Sequence, residues 1–222
     1  MTDLQAVTPT VGRMSKRYLA VAALAAATLL AAPLTANAAA AGQASAASAA
    51  AGLASAAPAQ PLKLRGGLTL YLPIQWKVYR VSPDWIRVVT GKCAKPEAGY
   101  GTPECDSFWV LGPKAIKQGD ELFRPYTAKE PFYPATDVQL CPHNRKWGQV
   151  VGAAKVKGLR QVGPGHKAAY REWKATCVSY SGGGVKSRYV QREWYLPKTR
   201  ILVVDQWNTP GLADALRYAD WN

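Results

Sequence analysis

From about residue 62 onward, apolar and polar positions alternate with the period of two that marks half-buried strands. Residues 67–72, Gly-Leu-Thr-Leu-Tyr-Leu, form the first β-favouring run, and Pro73 stops it. Residues 76–79 continue with Trp76 and Val78 on one face and Lys77 and Tyr79 on the other. Residues 85–90 predict a third strand between Ser82-Pro83-Asp84 and Gly91, and 107–111 a short fourth ended by Gly112-Pro113. Residues 112–148 break the pattern. Five prolines (Pro113, Pro125, Pro131, Pro134, Pro142) exclude a long helix or a central strand there. Phe123, Tyr126, Phe132 and Tyr133 between them predict a long loop packed on the core and tied down at Cys141. Strands follow at 158–162, 167–180, 185–196 and 201–207. Gly163-Pro164-Gly165, Ser181-Gly182-Gly183-Gly184 and Pro197-Lys198-Thr199 supply tight turns, which makes an antiparallel meander. In 167–180, Tyr170, Glu172, Lys174 and Thr176 alternate with Arg171, Trp173, Ala175 and Cys177; in 185–196, Tyr189, Gln191, Glu193 and Tyr195 share a face. A helix is predicted over 212–221, with Thr209 as N-cap, Pro210 at the first helical position and an apolar stripe of Leu212, Ala215, Leu216 and Ala219. The expected fold is α+β: a mainly antiparallel sheet with a C-terminal helix and a long Pro/aromatic loop.

The N-terminal third has a different pattern. Arg13, Lys16 and Arg17 precede an apolar run from Tyr18 to about Leu34, which ends in Ala36-Asn37-Ala38. This order predicts a secretory signal over 1–38, cleaved after Ala38, with Met1 or Met14 as the start. The uninterrupted run before Pro33 falls short of the ~20 residues that span a bilayer, and no later segment is long and apolar enough to do so. Residues 39–61 are almost all Ala, Ser, Gly, Gln and Pro, with no charge and no aromatic ring, and predict a flexible linker. Residues 62–222 predict one folded domain, which holds all eight Trp and ten of the eleven Tyr.

All four cysteines lie in that domain. An even count in an exported chain predicts two disulfides and a secreted or wall-associated protein. The Pro/Gly-rich segment between Cys93 and Cys105 favours that pairing, which leaves Cys141 with Cys177. No Cys-x-x-Cys occurs and only His143 lies within two residues of a cysteine, so neither a metal nor a cofactor is expected. The net charge is +14; removing residues 1–38 takes away three basic and one acidic residue and leaves +12. That balance predicts attraction to an anionic polymer of the cell wall or surroundings, or to an extracellular protein. Nothing in the sequence indicates nucleic acid specifically, and the oligomeric state is open.

Gly67-Leu68-Thr69-Leu70-Tyr71-Leu72-Pro73-Ile74-Gln75-Trp76-Lys77 resembles the opening hairpin of PsbP/Mog1-like domains, and the meander, final strand and closing helix are similar too. The resemblance covers about residues 66–80 and 158–221. It implies an antiparallel sheet covered by helices and a binding module without shared catalytic residues. The segments 108–116, 159–167 and 203–211 resemble a group of exported proteins of high-GC Gram-positive bacteria, a likeness that brings no activity with it.

The chemistry-bearing residues are few. His143, Arg145, Lys146 and Trp147 form one basic-aromatic group, and Arg160, His166 and Lys167 another; both are candidate binding residues. No Gly-x-Ser-x-Gly is present for a Ser-His-Asp hydrolase. His166, Glu172 and Arg171 are the best fit to a ribonuclease, and Glu172 with Glu193 to a glycoside hydrolase; the carboxylates are better read as partners of basic neighbours across the sheet. Leu196-Pro197-Lys198-Thr199-Arg200 resembles a sortase signal without its closing Gly and predicts a turn. The first expectation is therefore a secreted, non-enzymatic binding protein. The alternatives are a secreted hydrolase with scattered active-site residues, and a protease inhibitor using the disulfide-flanked loop 94–104.

Overall fold

The computed structural model describes residues 58–222. The expected signal over 1–38 and all but the end of the linker lie outside the described residues. The protein is built mainly of antiparallel strands, in chain order β1 Ala59–Lys63, β2 Leu68–Pro73, β3 Lys77–Ser82, β4 Trp85–Cys93, β5 Cys105–Leu111, β6 Leu140–Cys141, β7 Asn144–Gln161, β8 Lys167–Ser179, β9 Val185–Leu196, β10 Ile201–Asp205 and β11 Asp220–Trp221. Two short helices, α1 Pro113–Ile116 and α2 Leu212–Arg217, complete it. Eight strands form one sheet in the order β3-β4-β5-β10-β9-β8-β7-β6, and β1-β2-β11 form a second.

Strand alternation distributes the side chains of the large sheet between two cores. Ile86 and Val88 of β4, Phe108 and Val110 of β5, Ile201 and Val203 of β10 and Trp194 and Leu196 of β9 point to one face. The small sheet (Leu68, Leu70, Leu72) and α2 (Leu212, Leu216) cover that face. Trp109, Leu111, Leu202 and Val204 point the other way and meet Ala115, Ile116, Tyr126 and Phe132 from the long loop. β10 is buried on both sides along all five residues, which explains its unbroken apolar run. Both expected disulfides are present: Cys93–Cys105 closes the β4–β5 hairpin, and Cys141–Cys177 ties β6 to β8 across β7.

Three elements differ from the sequence-based expectation. β7 starts at Asn144, fourteen residues before the predicted strand at 158, because no proline interrupts the chain between Pro142 and Pro164. Register shifts between Val151 and Val156 mark β-bulges, which blurred the period of two on which the expectation relied. The terminal helix ends at Arg217 rather than 221; Asp220 and Trp221 instead pair with β2, and the Trp221 indole donates to the Val162 carbonyl at 2.7 Å. Thr209 is not its N-cap. Gly211, at φ 77°, holds that position, and the Thr209 hydroxyl donates to Asp205.

Candidate functional site

The basic residues are dispersed in sequence, but the β7–β8–β9 meander brings many of them onto three adjacent strands. Between residues 139 and 200 the chain carries thirteen Lys and Arg and two acidic residues, Glu172 and Glu193. Arg145 pairs with Glu104 and Arg192 with Asp205; the other eleven have no carboxylate within 4 Å among the described residues. Ten of those eleven are exposed, and Arg171 is half-buried. Glu193 is fully buried, so Glu172 is the only acid of this segment that meets solvent.

The two groups of candidate binding residues fall at opposite ends of β7, roughly 50 Å apart at about 3.3 Å per residue. At one end Arg145 is fully engaged with Glu104 (2.9 and 2.6 Å), which raises the guanidinium and holds the carboxyl below its ordinary value. Lys146 is exposed and Trp147 half-buried. At the other end the Arg160 guanidinium lies 4.6 Å over the Tyr170 ring, and exposed His166 stacks on Trp221 at 4.1 Å. Lys167 is exposed beside it. The structure thus does not combine the seven residues into one site.

His143 belongs instead to a groove that sequence reasoning missed. Its Nε2 meets the Gln206 carbonyl at 2.9 Å, and its ring packs edge-on against Trp207 (4.5 Å) and Tyr189 (4.8 Å). These residues, with Glu172, Arg188, Arg192 and Asn208, line a cavity of about 410 Å³. A second cavity, of about 350 Å³, lies on the other side of Trp207 and is lined by Gln75, Trp76, Thr90, Asp106 and Pro210. Asp205 sets the loop that carries Trp207. This fully buried carboxylate accepts from the Trp207 amide (3.0 Å), the Thr209 amide and hydroxyl, and Arg192. The sequence signal was present in Asp205-Gln206-Trp207-Asn208-Thr209, a carboxylate followed by polar residues able to close an Asx-type loop around an aromatic ring.

On the face that the long loop covers, Glu193 is a structural anchor. Its oxygens accept from Tyr126 Oη, Trp173 Nε1, the Phe132 amide and Gln191 Nε2, each at 2.7 Å. Burial pushes the carboxyl up, and the four donors offset part of that rise. Glu172 lies opposite Arg192 in the β8–β9 register and Glu193 opposite Arg171, so the two carboxylates are on different faces and cannot flank one cleft. The His166, Glu172 and Arg171 set does not assemble either: Glu172 accepts from Tyr170 at 2.7 Å, and Arg171 is on the other face. Pro197–Arg200 is the turn between β9 and β10.

The loop within Cys93–Cys105 is pinned from inside. Buried Arg87 donates to the carbonyls of Lys95, Pro96 and Gly99 (3.0, 3.2 and 2.9 Å) and stacks on Trp109; burial lowers its guanidinium to about 10. Ligand atoms of Cys141, His143 and Cys177 lie within 4.8 Å of one another, but the two sulfurs are joined in the disulfide and offer no thiolate. No helix among the described residues is long and apolar enough to cross a membrane. The chain matches no protein-family model, no curated protein and no solved structure.

Proposed function

We propose that this chain is an exported, non-enzymatic binding protein that engages an anionic polymer at or outside the cell wall through the β7–β9 meander. The observation that carries the reading is the set of eleven basic side chains without a carboxylate partner, nine on three adjacent strands and two on the turn that follows them, with a single solvent-facing acid. Elsewhere the described residues carry twelve basic against eleven acidic side chains, which nearly balance; here the field of the cations adds up and attracts a polyanion. The secretory pattern of 1–38 and the two disulfides support a location in an oxidising, extracytoplasmic compartment.

The test is retention of the protein on isolated cell walls and on an immobilised polyanion as salt is stepped upward. The expected result is tight retention at low salt, lost steeply at moderate salt. The triple variant K155E/K157E/K174E reverses three exposed charges of the meander, and K63E/K95E/K129E makes the same change in net charge elsewhere. The first should release the protein at markedly lower salt than the second. Absence of retention, or equal effects of the two triples, would refute the proposal.

A hydrolase remains the second reading, because His143 and Glu172 line the same groove and imidazole with carboxylate is an acid–base pair. Shortening of the bound polymer by the wild type, abolished in both H143N and E172Q, would establish it.

A further inference from the structure

Resting on the binding reading above, we propose that the groove divided by Trp207 is a subsite for an anionic glycan, with a sugar ring against the indole and its acidic group on Arg188. Three independent features converge there. The indole is held before any ligand arrives: Asp205 fixes the loop through the Trp207 and Thr209 amides, and His143, itself anchored on the Gln206 carbonyl, packs against the ring. A ligand therefore need not freeze the ring, which removes a cost of binding. Trp207 lines both cavities, about 410 and 350 Å³, and is half-exposed. The rims differ in chemistry. Arg188 is exposed without an ion-pair partner on one side, while Gln75 and Asp106 lie on the other.

That combination selects among polyanions. An aromatic platform with amide and carboxylate groups around it satisfies ring hydroxyls, which donate as well as accept. Glu172 on one side of Trp207 and Asp106 on the other repel a continuous phosphodiester chain, but accept from the hydroxyls of a sugar whose charges are spaced apart. Single-stranded nucleic acid stacks successive bases on successive rings, and here one half-exposed indole divides the groove.

The test is calorimetric titration of the full mature chain with three probes: a heparin hexasaccharide, polyphosphate of equal charge and the oligonucleotide dT8. The hexasaccharide should bind most tightly. W207A should lower its affinity about tenfold relative to any effect on polyphosphate, and W207F should restore most of the loss. Gln75→Ala, at an exposed side chain outside the packed cluster, should weaken the hexasaccharide selectively and guards against a misfolded W207A. R188A should weaken both the hexasaccharide and polyphosphate. Equal binding of hexasaccharide and polyphosphate, insensitive to W207A and Q75A, would overturn the glycan subsite and leave the basic-meander reading intact. Tighter binding of dT8 than of the hexasaccharide would overturn it in favour of nucleic acid. Absence of binding by all three would overturn both readings.

Discussion

Glu193 carries an ionisable carboxyl into the core and is held there by four donors from three parts of the chain. Replacing it with Ala strands those donors in a dry site, and E193A should lose about 3 kcal/mol of unfolding free energy in urea. Its raised carboxyl also has a signature in pH. The native state retains a proton that the unfolded state releases above its ordinary value near 4.5. The stability from this group is therefore complete below that value and declines as pH rises through the folded one. Urea midpoints measured from pH 4 upward should fall over that window, and E193Q should flatten the fall. Arg87 is the cationic counterpart, buried with carbonyls rather than a carboxylate as partners. R87A should cost about 3 kcal/mol and open the loop 94–104 to proteolysis, read by limited digestion. The sequence placed Glu193 on one face with Tyr189, Gln191 and Tyr195. It did not reveal that a loop some sixty residues earlier would close over that face, because charged residues normally mark the solvated side of a strand.

Among the elements, β7 was the least legible. Its eighteen residues contain bulges and three glycines, and its outer edge beyond Gly148 has no partner strand among the described residues. Exposed Lys155 and Lys157 on that stretch guard an edge that would otherwise invite pairing. The turns were the most legible, since glycine and proline act locally, and the strands they bound at 185–196 and 107–111 are found within two residues of expectation. The Pro/Gly-rich segment between Cys93 and Cys105 favoured the pairing that is found. Loop-closure entropy ranks the two disulfides: C141S/C177S, opening a 36-residue separation, should cost about 4 kcal/mol and C93S/C105S about 3. Chemical denaturation of the two double variants checks both size and order.

At the scale of the whole molecule, β10 joins the two halves of the large sheet between β5 and β9 and is buried on both faces. Its amides, with those of β5, should exchange with solvent only through global unfolding, whereas the edge of β7 beyond Val150 should exchange orders of magnitude faster. Hydrogen exchange resolved by strand tests this directly. The sequence by itself determined the strand-rich class, the meander and the excess of positive charge, and favoured the cysteine pairing without fixing it, because periodicity, turn chemistry and composition are properties of neighbours along the chain. Only the tertiary structure decided which face of each strand is buried, that eleven dispersed basic residues share three adjacent strands, that Glu172 and Glu193 part to opposite faces, and that His143 meets Trp207 across sixty-four positions. Each of those depends on strand register and on which loop covers which face, and neither is encoded within a local window of sequence.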